Sequence, residues 1–285
     1  MLFASLVVAV APAAASDDPN PHWPQLLPPF PVSSKHQPGP VEHCRRGRLA
    51  CIDNTIKRMR RMERRLGCGH RAVFATTYLT LTKVLRRHRR VFRDRRYLAT
   101  EVTEFSNYWF RTLRRWERGK PIPEAWRIAM ETARSGQVNG GQDMLLGINA
   151  HVQREMPYVM AELGLVTRKG RSRKPDHDVM NDVLDAAYQP VVDNVQRRYD
   201  PLVSVTNASW NPLDDIGGLE MVKGWREGVW RNATRLINAK TPAQWRQVSA
   251  SIETNAATWA RMMAAPQTPG YRARRDAYCR AKLHR

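Results

Sequence analysis

What this sequence lacks narrows it first. Outside the first fifteen residues no apolar run approaches the roughly 20 residues needed to cross a bilayer, so no transmembrane helix is expected in the mature chain. No segment alternates apolar and polar residues between turn pairs, so no sheet is expected. A G-x-S-x-G elbow, a Cys–His pair and a phosphate loop are all missing, which leaves nucleophilic catalysis without a supporting pattern. Cysteine is scarce, at four residues with no C-x-x-C spacing, and that argues against structural zinc. Acidic residues are scarce too: 26 Asp and Glu stand against 47 Lys and Arg in 285 residues, for a net charge of +21.

The charge is unevenly spread. Residues 42–118 hold 22 basic residues against 7 acidic ones, mostly arginines flanking the first three helices. A positive field of that size favours anionic partners: phosphate headgroups, an anionic envelope polymer or nucleic acid. Solvated helix faces and base-composition bias account for the same arginines without any partner.

The chain divides into three parts. Residues 1–16 read as a signal peptide: "MLFASLVVAVAPAAA" is apolar, too short to span, and ends in an A-x-A cleavage pattern. No Lys or Arg precedes it, so the expected start lies upstream or this Met is internal. Residues 17–41 carry eight prolines in 25 positions and read as a Pro-rich linker or an arm laid on the domain, with Trp23, Leu26, Leu27 and Phe30 favouring the docked arm. Residues 42–285 read as a single all-α domain, an irregular bundle of about eight helices. The destination is secreted or extracytoplasmic. In that setting four cysteines suggest two disulfides. Cys44 and Cys51, if both helical, would sit about 10 Å apart, so the expected pairs are Cys51–Cys68 and Cys44–Cys279.

The helices are expected over 43–66, 70–91, 95–118, from "PIPEAW" onward, 142–163, 177–198, through "MVKGWREGVWRNATRLINA", and over 242–264. Pro157 should kink or break the fifth. Residues 199–216 read as irregular. Trp225, Trp230, Trp245 and Trp259 read as core.

"MLLGINAHVQREMP", residues 144–157, is mostly apolar yet carries His151 and Glu155 one turn apart, on the face that holds Ile148 and Val152. An imidazole and a carboxylate so placed can begin a site for zinc or another divalent ion, or can make a buried ion pair. "RKPDHDVMND" puts Asp176, His177 and Asp178 at the start of the next long helix. N-capping by Asp176 and a favourable dipole at Asp178 account for the aspartates but leave His177 unexplained. Glu101 falls on the inward line Leu98–Glu101–Phe105–Tyr108–Thr112, where a carboxylate must be paired or ligating. Glu104 is its alternative, and Arg154 or Arg127 could supply countercharge. His70 reads as structural.

"LLGINAHVQREMP", "SRKPDHDVMNDVL" and "WREGVWRNATRL" together resemble an exported bacterial family of unknown function whose members share GxNAHxxxDLP and SRKPDHDxVN segments. The resemblance spans most of residues 42–280 and implies an all-α fold and export. Glu155 stands where the family's Asp would be. More distantly, the H-x-x-x-E on a helix is similar to the H-x-x-x-D of the zinc phospholipase C and P1 nuclease group, which implies His151 and Glu155 as zinc ligands. That group also uses an N-terminal Trp and further histidines, which this chain does not supply, so one or two metal ions are the most implied.

The reading that follows is a secreted, metal-dependent hydrolase of phosphate esters. His151, Glu155, His177 and Asp178 would hold zinc or manganese, with Glu101 as a further ligand or general base. The alternative is a non-catalytic extracellular or envelope protein that binds an acidic partner through its Arg-rich face.

Overall fold

The computed structural model describes residues 23–28, 30–31, 41, 43–201, 203, 215–266 and 269–283, with only the backbone at 215, 216 and 283. The signal-peptide segment and most of the Pro-rich stretch lie outside these residues, as does most of the expected irregular segment 199–216.

The fold is all-α. The helices are α1 (Trp23–Leu26), α2 (Leu49–Leu66), α3 (Arg71–His88, continued by a 3₁₀ turn at Arg89–Val91), α4 (Arg95–Glu117), α5 (Glu124–Ser135), α6 (Gly140–Ile148), α7 (Met156–Leu163), α8 (Lys174–Arg198), α9 (Asp215–Asn238), α10 (Pro242–Met263) and α11 (Tyr271–Leu283). A π-helical segment, Asn149–Glu155, joins α6 to α7. Among the described residues there is no strand, only an isolated bridge between Val166 and Ser172. No described helix is long and apolar enough to cross a membrane. The departures from eight helices are α1 inside the Pro-rich stretch, the three-part fifth helix and α11.

Helix α3 is the hub, packed by α2, α6 and α8, while α4 lies on α2, and α9 and α10 close over the π segment and α7. Its residues 72–80 are all buried, the pattern of a helix surrounded by others. Its threonines satisfy their hydroxyls in two ways: Thr77 donates to the Val73 carbonyl at 3.0 Å and Thr82 to that of Tyr78 at 2.7 Å, back along the helix, while Thr76 donates to Glu63 at 2.6 Å and Thr80 accepts from Asn194 at 3.2 Å. Helix α2 buries only Ile52, Ile56, Met59 and their stripe, leaving Arg60, Arg61, Arg64 and Arg65 in solvent. Trp109, Phe110 and Trp126 fill the core, each contributing about 2–3 kcal/mol through burial. Trp225 and Trp230 join them, but Trp245, expected inside, is 45 % exposed.

Two disulfides form, in a different pairing from the one expected: Cys44–Cys51 and Cys68–Cys279. The expectation failed because it continued the first helix through residue 43. Helix α2 starts at Leu49, and residues 44–47 make a turn closed by the Gly47 N–H to the Cys44 carbonyl. Gly47 takes φ +55°, and a Cβ there would strike the Arg96 backbone. The turn folds Cys44 back to a Cα–Cα distance of 6.1 Å from Cys51, within bonding reach. The C-terminal segment is tied back to the domain as expected, but Cys279 of α11 pairs with Cys68 instead of Cys44.

The first residues of the chain that the structure describes lie on α9. Trp23 Nε1 donates to Glu220 at 3.3 Å, and Arg231 donates to the Pro28 carbonyl at 2.7 Å.

Candidate functional site

The π segment is where sequence and geometry meet. Pro157 has no N–H, and in a continuous α-helix its ring would press on the Gln153 carbonyl. Widening the preceding turn relieves both problems, and the Met156 N–H reaches back five residues to the His151 carbonyl. The kink expected at Pro157 therefore takes the form of a π turn, a distortion that recurs at functional sites. Its closest support is Gly147, two residues before the segment, which lets α6 sit directly on Phe74 of α3.

His151 points into the bundle and is 2 % exposed. Its Nδ1 is 2.7 Å from Glu155 Oε2, and the Thr112 hydroxyl donates to Glu155 Oε1 at 2.9 Å. Both carboxylate oxygens of this fully buried glutamate are thus occupied. Phe105 lies flat on one face of the imidazole, and Tyr78 approaches at 4.6 Å between centroids. Burial lowers the His151 pKa, against the raising effect of Glu155, so the ring is neutral. With Nδ1–H donated to the carboxylate, Nε2 carries the lone pair. Among the described residues Nε2 has no hydrogen-bond partner.

His151 lines a cavity of about 330 Å³ between α3, α4, α6, α8 and α9. The wall is mostly apolar, with Leu81, Leu85, Val102, Ile148, Met180 and Val222 among its residues. Glu101, His177 and Arg226 add a second polar group to it. Arg226 donates through Nε to Asn181 at 2.9 Å and through a terminal nitrogen to the His177 carbonyl. His177 Nε2 donates to the Arg226 carbonyl at 2.9 Å. That fixes the tautomer and leaves His177 Nδ1 as a buried acceptor without a partner among the described residues. Burial, then the charges of Arg226 and Lys174, push the His177 pKa well below its ordinary value. Burial raises Glu101 to about 7 in spite of Arg226 and Arg173, and it lowers Arg226 to about 10.

The residues singled out in the sequence therefore have different surroundings. His151 and Glu155 form a pair in which Glu155 orients the imidazole. His177 and Glu101 line the same cavity as His151. Asp178 is bound to Lys174 on the preceding turn and is absent from the cavity wall. Among the described residues no three His, Cys, Asp or Glu side chains come together in a group that could hold a metal ion. Asp176 does not cap α8, whose N-cap is Arg173; it accepts the backbone N–H groups of Arg93 and Asp94, both at 2.8 Å. Arg226 and Arg173 face Glu101, whereas Arg154 is paired with Glu253 and Arg127 with Glu124 and Glu131. Glu104 binds His43, and His70 binds Asp143.

The sequence reading passed over Tyr78 and Phe105 as core, Thr112 as an inward position and Arg226 altogether. Thr112 sits on the same inward line as Glu101, a legible signal. Arg226 had only its place beside Trp225 in an apolar helix.

A family model described as a family of unknown function, DUF5995, matches residues 52–266, and the chain belongs to that family. No curated protein and no solved structure matches the chain significantly.

Proposed function

We propose that this protein, whose family has no known function, binds an apolar small molecule with a polar end inside its helical bundle. The observation that carries the reading is the cavity of about 330 Å³, apolar along most of its wall and polar where Glu101, His151, His177 and Arg226 reach it. A mostly apolar pocket with a few converging polar groups is the common form of a small-molecule site. The two disulfides suit an oxidising, extracytoplasmic setting, where such a protein would carry or sense a lipid-like compound.

The test is titration of the purified, delipidated protein with a fluorescent naphthalene-sulfonate probe, beside an Ala187→Phe variant that fills the cavity. The expected result is saturable binding that the variant loses while keeping its helical circular dichroism. Equal binding by both proteins would move the ligand elsewhere.

A second reading, hydrolysis of an ester in the same cavity, is favoured by the Thr112–Glu155–His151 relay. An imidazole oriented by a carboxylate and presenting a free lone pair is the arrangement a general base needs. A metal-dependent phosphoesterase would need His151, His177 and Glu101, which line one cavity without coming together as a metal-holding group among the described residues, because both Glu155 oxygens are engaged. Attachment to an anionic polymer or to nucleic acid through the arginines of 42–118 is compatible with either reading.

A further inference from the structure

Resting on the cavity reading, the choice of head group can be narrowed by two buried polar atoms that the fold leaves unsatisfied. The Tyr78 hydroxyl and His151 Nε2 are both without a hydrogen-bond partner among the described residues. Tyr78 is 6 % exposed and His151 2 %. Both line the same cavity, and their rings are 4.6 Å apart between centroids.

The two atoms are opposite in sense. His151 donates Nδ1–H to Glu155, so Nε2 is an acceptor. Burial, reinforced by Glu155 and Glu101, holds the Tyr78 hydroxyl well above a phenol's ordinary range, so it keeps its proton and is a donor. Leaving a buried polar group unpaired costs about 1–3 kcal/mol, so two such atoms on one cavity wall mark a place where something else supplies the partner. The smallest group that satisfies both is a hydroxyl: its oxygen accepts from Tyr78 and its hydrogen is donated to His151. Phe105, flat against the imidazole at 3.5 Å, and Phe74, edge-on at 5.8 Å, keep the surroundings apolar. A carboxylate has no proton to give Nε2, and a primary ammonium has no acceptor for Tyr78. An ether satisfies the tyrosine alone.

We infer that Tyr78 and His151 form a head-group site for the hydroxyl of an apolar alcohol, with the hydrocarbon part lying along the Leu81–Leu85–Val102 wall.

The experiment measures displacement of the naphthalene-sulfonate probe from the full-length, oxidised protein by decanol and by decyl methyl ether. The parent protein is expected to bind the alcohol about tenfold more tightly than the ether, the value of one satisfied buried hydrogen bond. In Tyr78→Phe the alcohol should weaken about tenfold. The ether, which loses the same donor, should weaken by a similar factor, so that the alcohol's lead survives. In His151→Phe that lead should disappear. Equal affinities for alcohol and ether in the parent would overturn the inference and assign the two atoms to an ordered water. So would an unchanged alcohol affinity in Tyr78→Phe. If the probe itself does not bind, the cavity reading fails first, and this one with it.

Discussion

Phe105 lies parallel to His151, with ring centroids 3.5 Å apart and planes within 5°, while Glu155 holds the ring edge at 2.7 Å. The imidazole can neither tip nor spin without losing one of these contacts. Glu155→Gln tests what the carboxylate contributes. A glutamine there can donate to His151 Nδ1, which turns Nε2 from an acceptor into a donor. The expected outcome is a folded protein, weakened by about 1–3 kcal/mol, whose His151 has changed tautomer. Nitrogen-15 NMR of the imidazole reads that change directly, and an unchanged tautomer would contradict the assignment of Nε2 as the lone-pair nitrogen.

Glu101 makes stability depend on pH in a defined direction. Burial raises its pKa from 4.5 to about 7, so the folded state holds the proton more tightly than the unfolded chain does. The protonated form carries no penalty below about pH 4.5, and the penalty is complete above about pH 7. Glu101→Gln should therefore be more stable than the parent by on the order of 2–3 kcal/mol at pH 8, with the gain gone near pH 4.5. Urea denaturation at a series of pH values measures it. His151 and His177 have lowered pKa values and act oppositely: their contribution is present above about 6.5 and is lost as pH falls. Comparing the two proteins at each pH cancels that background.

Gly147 is where α6 meets α3. A Cβ at this position would run into the Phe74 ring, so Gly147→Ala should destabilise the protein by about 1–3 kcal/mol through overpacking. Phe74→Leu in the same chain should recover part of the loss. A double-mutant cycle by chemical denaturation gives the coupling; additive losses would mean that the contact is absent.

What the sequence made legible follows from how local each cause is. Apolar spacing alone placed α3, α4 and the C-terminal end of α2 nearly to the residue, because a stripe such as Ile52–Ile56–Met59 has one helical solution, but it began α2 six residues early. Glu101 was legible for the same reason, lying in the inward line of α4. The disulfide pairing was not, because it turned on where α2 begins, and that is decided by Gly47 folding the chain against Arg96. Nor was the partnership of His177 with Arg226: the two meet only when α9 packs on α8, 49 residues on. The π turn was half legible: Pro157 announced a disruption, and the shared face with Ile148 and Val152 put His151 inward, but neither showed that the disruption would be a π turn.

The two disulfides should differ in what they contribute. Cys44–Cys51 spans 7 residues and Cys68–Cys279 spans 211. Loop-closure entropy alone then gives about 2 kcal/mol for the first and about 5 kcal/mol for the second. Paired serine replacements at 68 and 279 should lower the denaturation midpoint more than paired replacements at 44 and 51. Peptide mapping of the non-reduced parent checks the connectivity on which the comparison depends.

The arginines of α2 and α4 make the last case. The acidic side chains described on these helices and on α3 are already engaged: Asp53 with Arg86, Glu63 with Arg198, Glu117 with Arg65 and Glu104 with His43. Glu101 faces the cavity. Arg60, Arg61, Arg64 and Arg114 are exposed and have no carboxylate within ion-pair distance among the described residues. They are close enough to act on each other's neighbours, since Arg114 and Arg61 help burial to lower the pKa of Arg58 between them. A face that repels itself gains from any polyanion laid across it, and the gain should fall as salt screens it. The parent protein is expected to bind immobilised heparin in low salt and to elute as salt is raised. With Arg60, Arg61 and Arg114 all replaced by glutamate, retention should be largely lost and the thermal midpoint little changed. Elution of both proteins at the same salt concentration would place the retention elsewhere on the surface and remove the argument for this face.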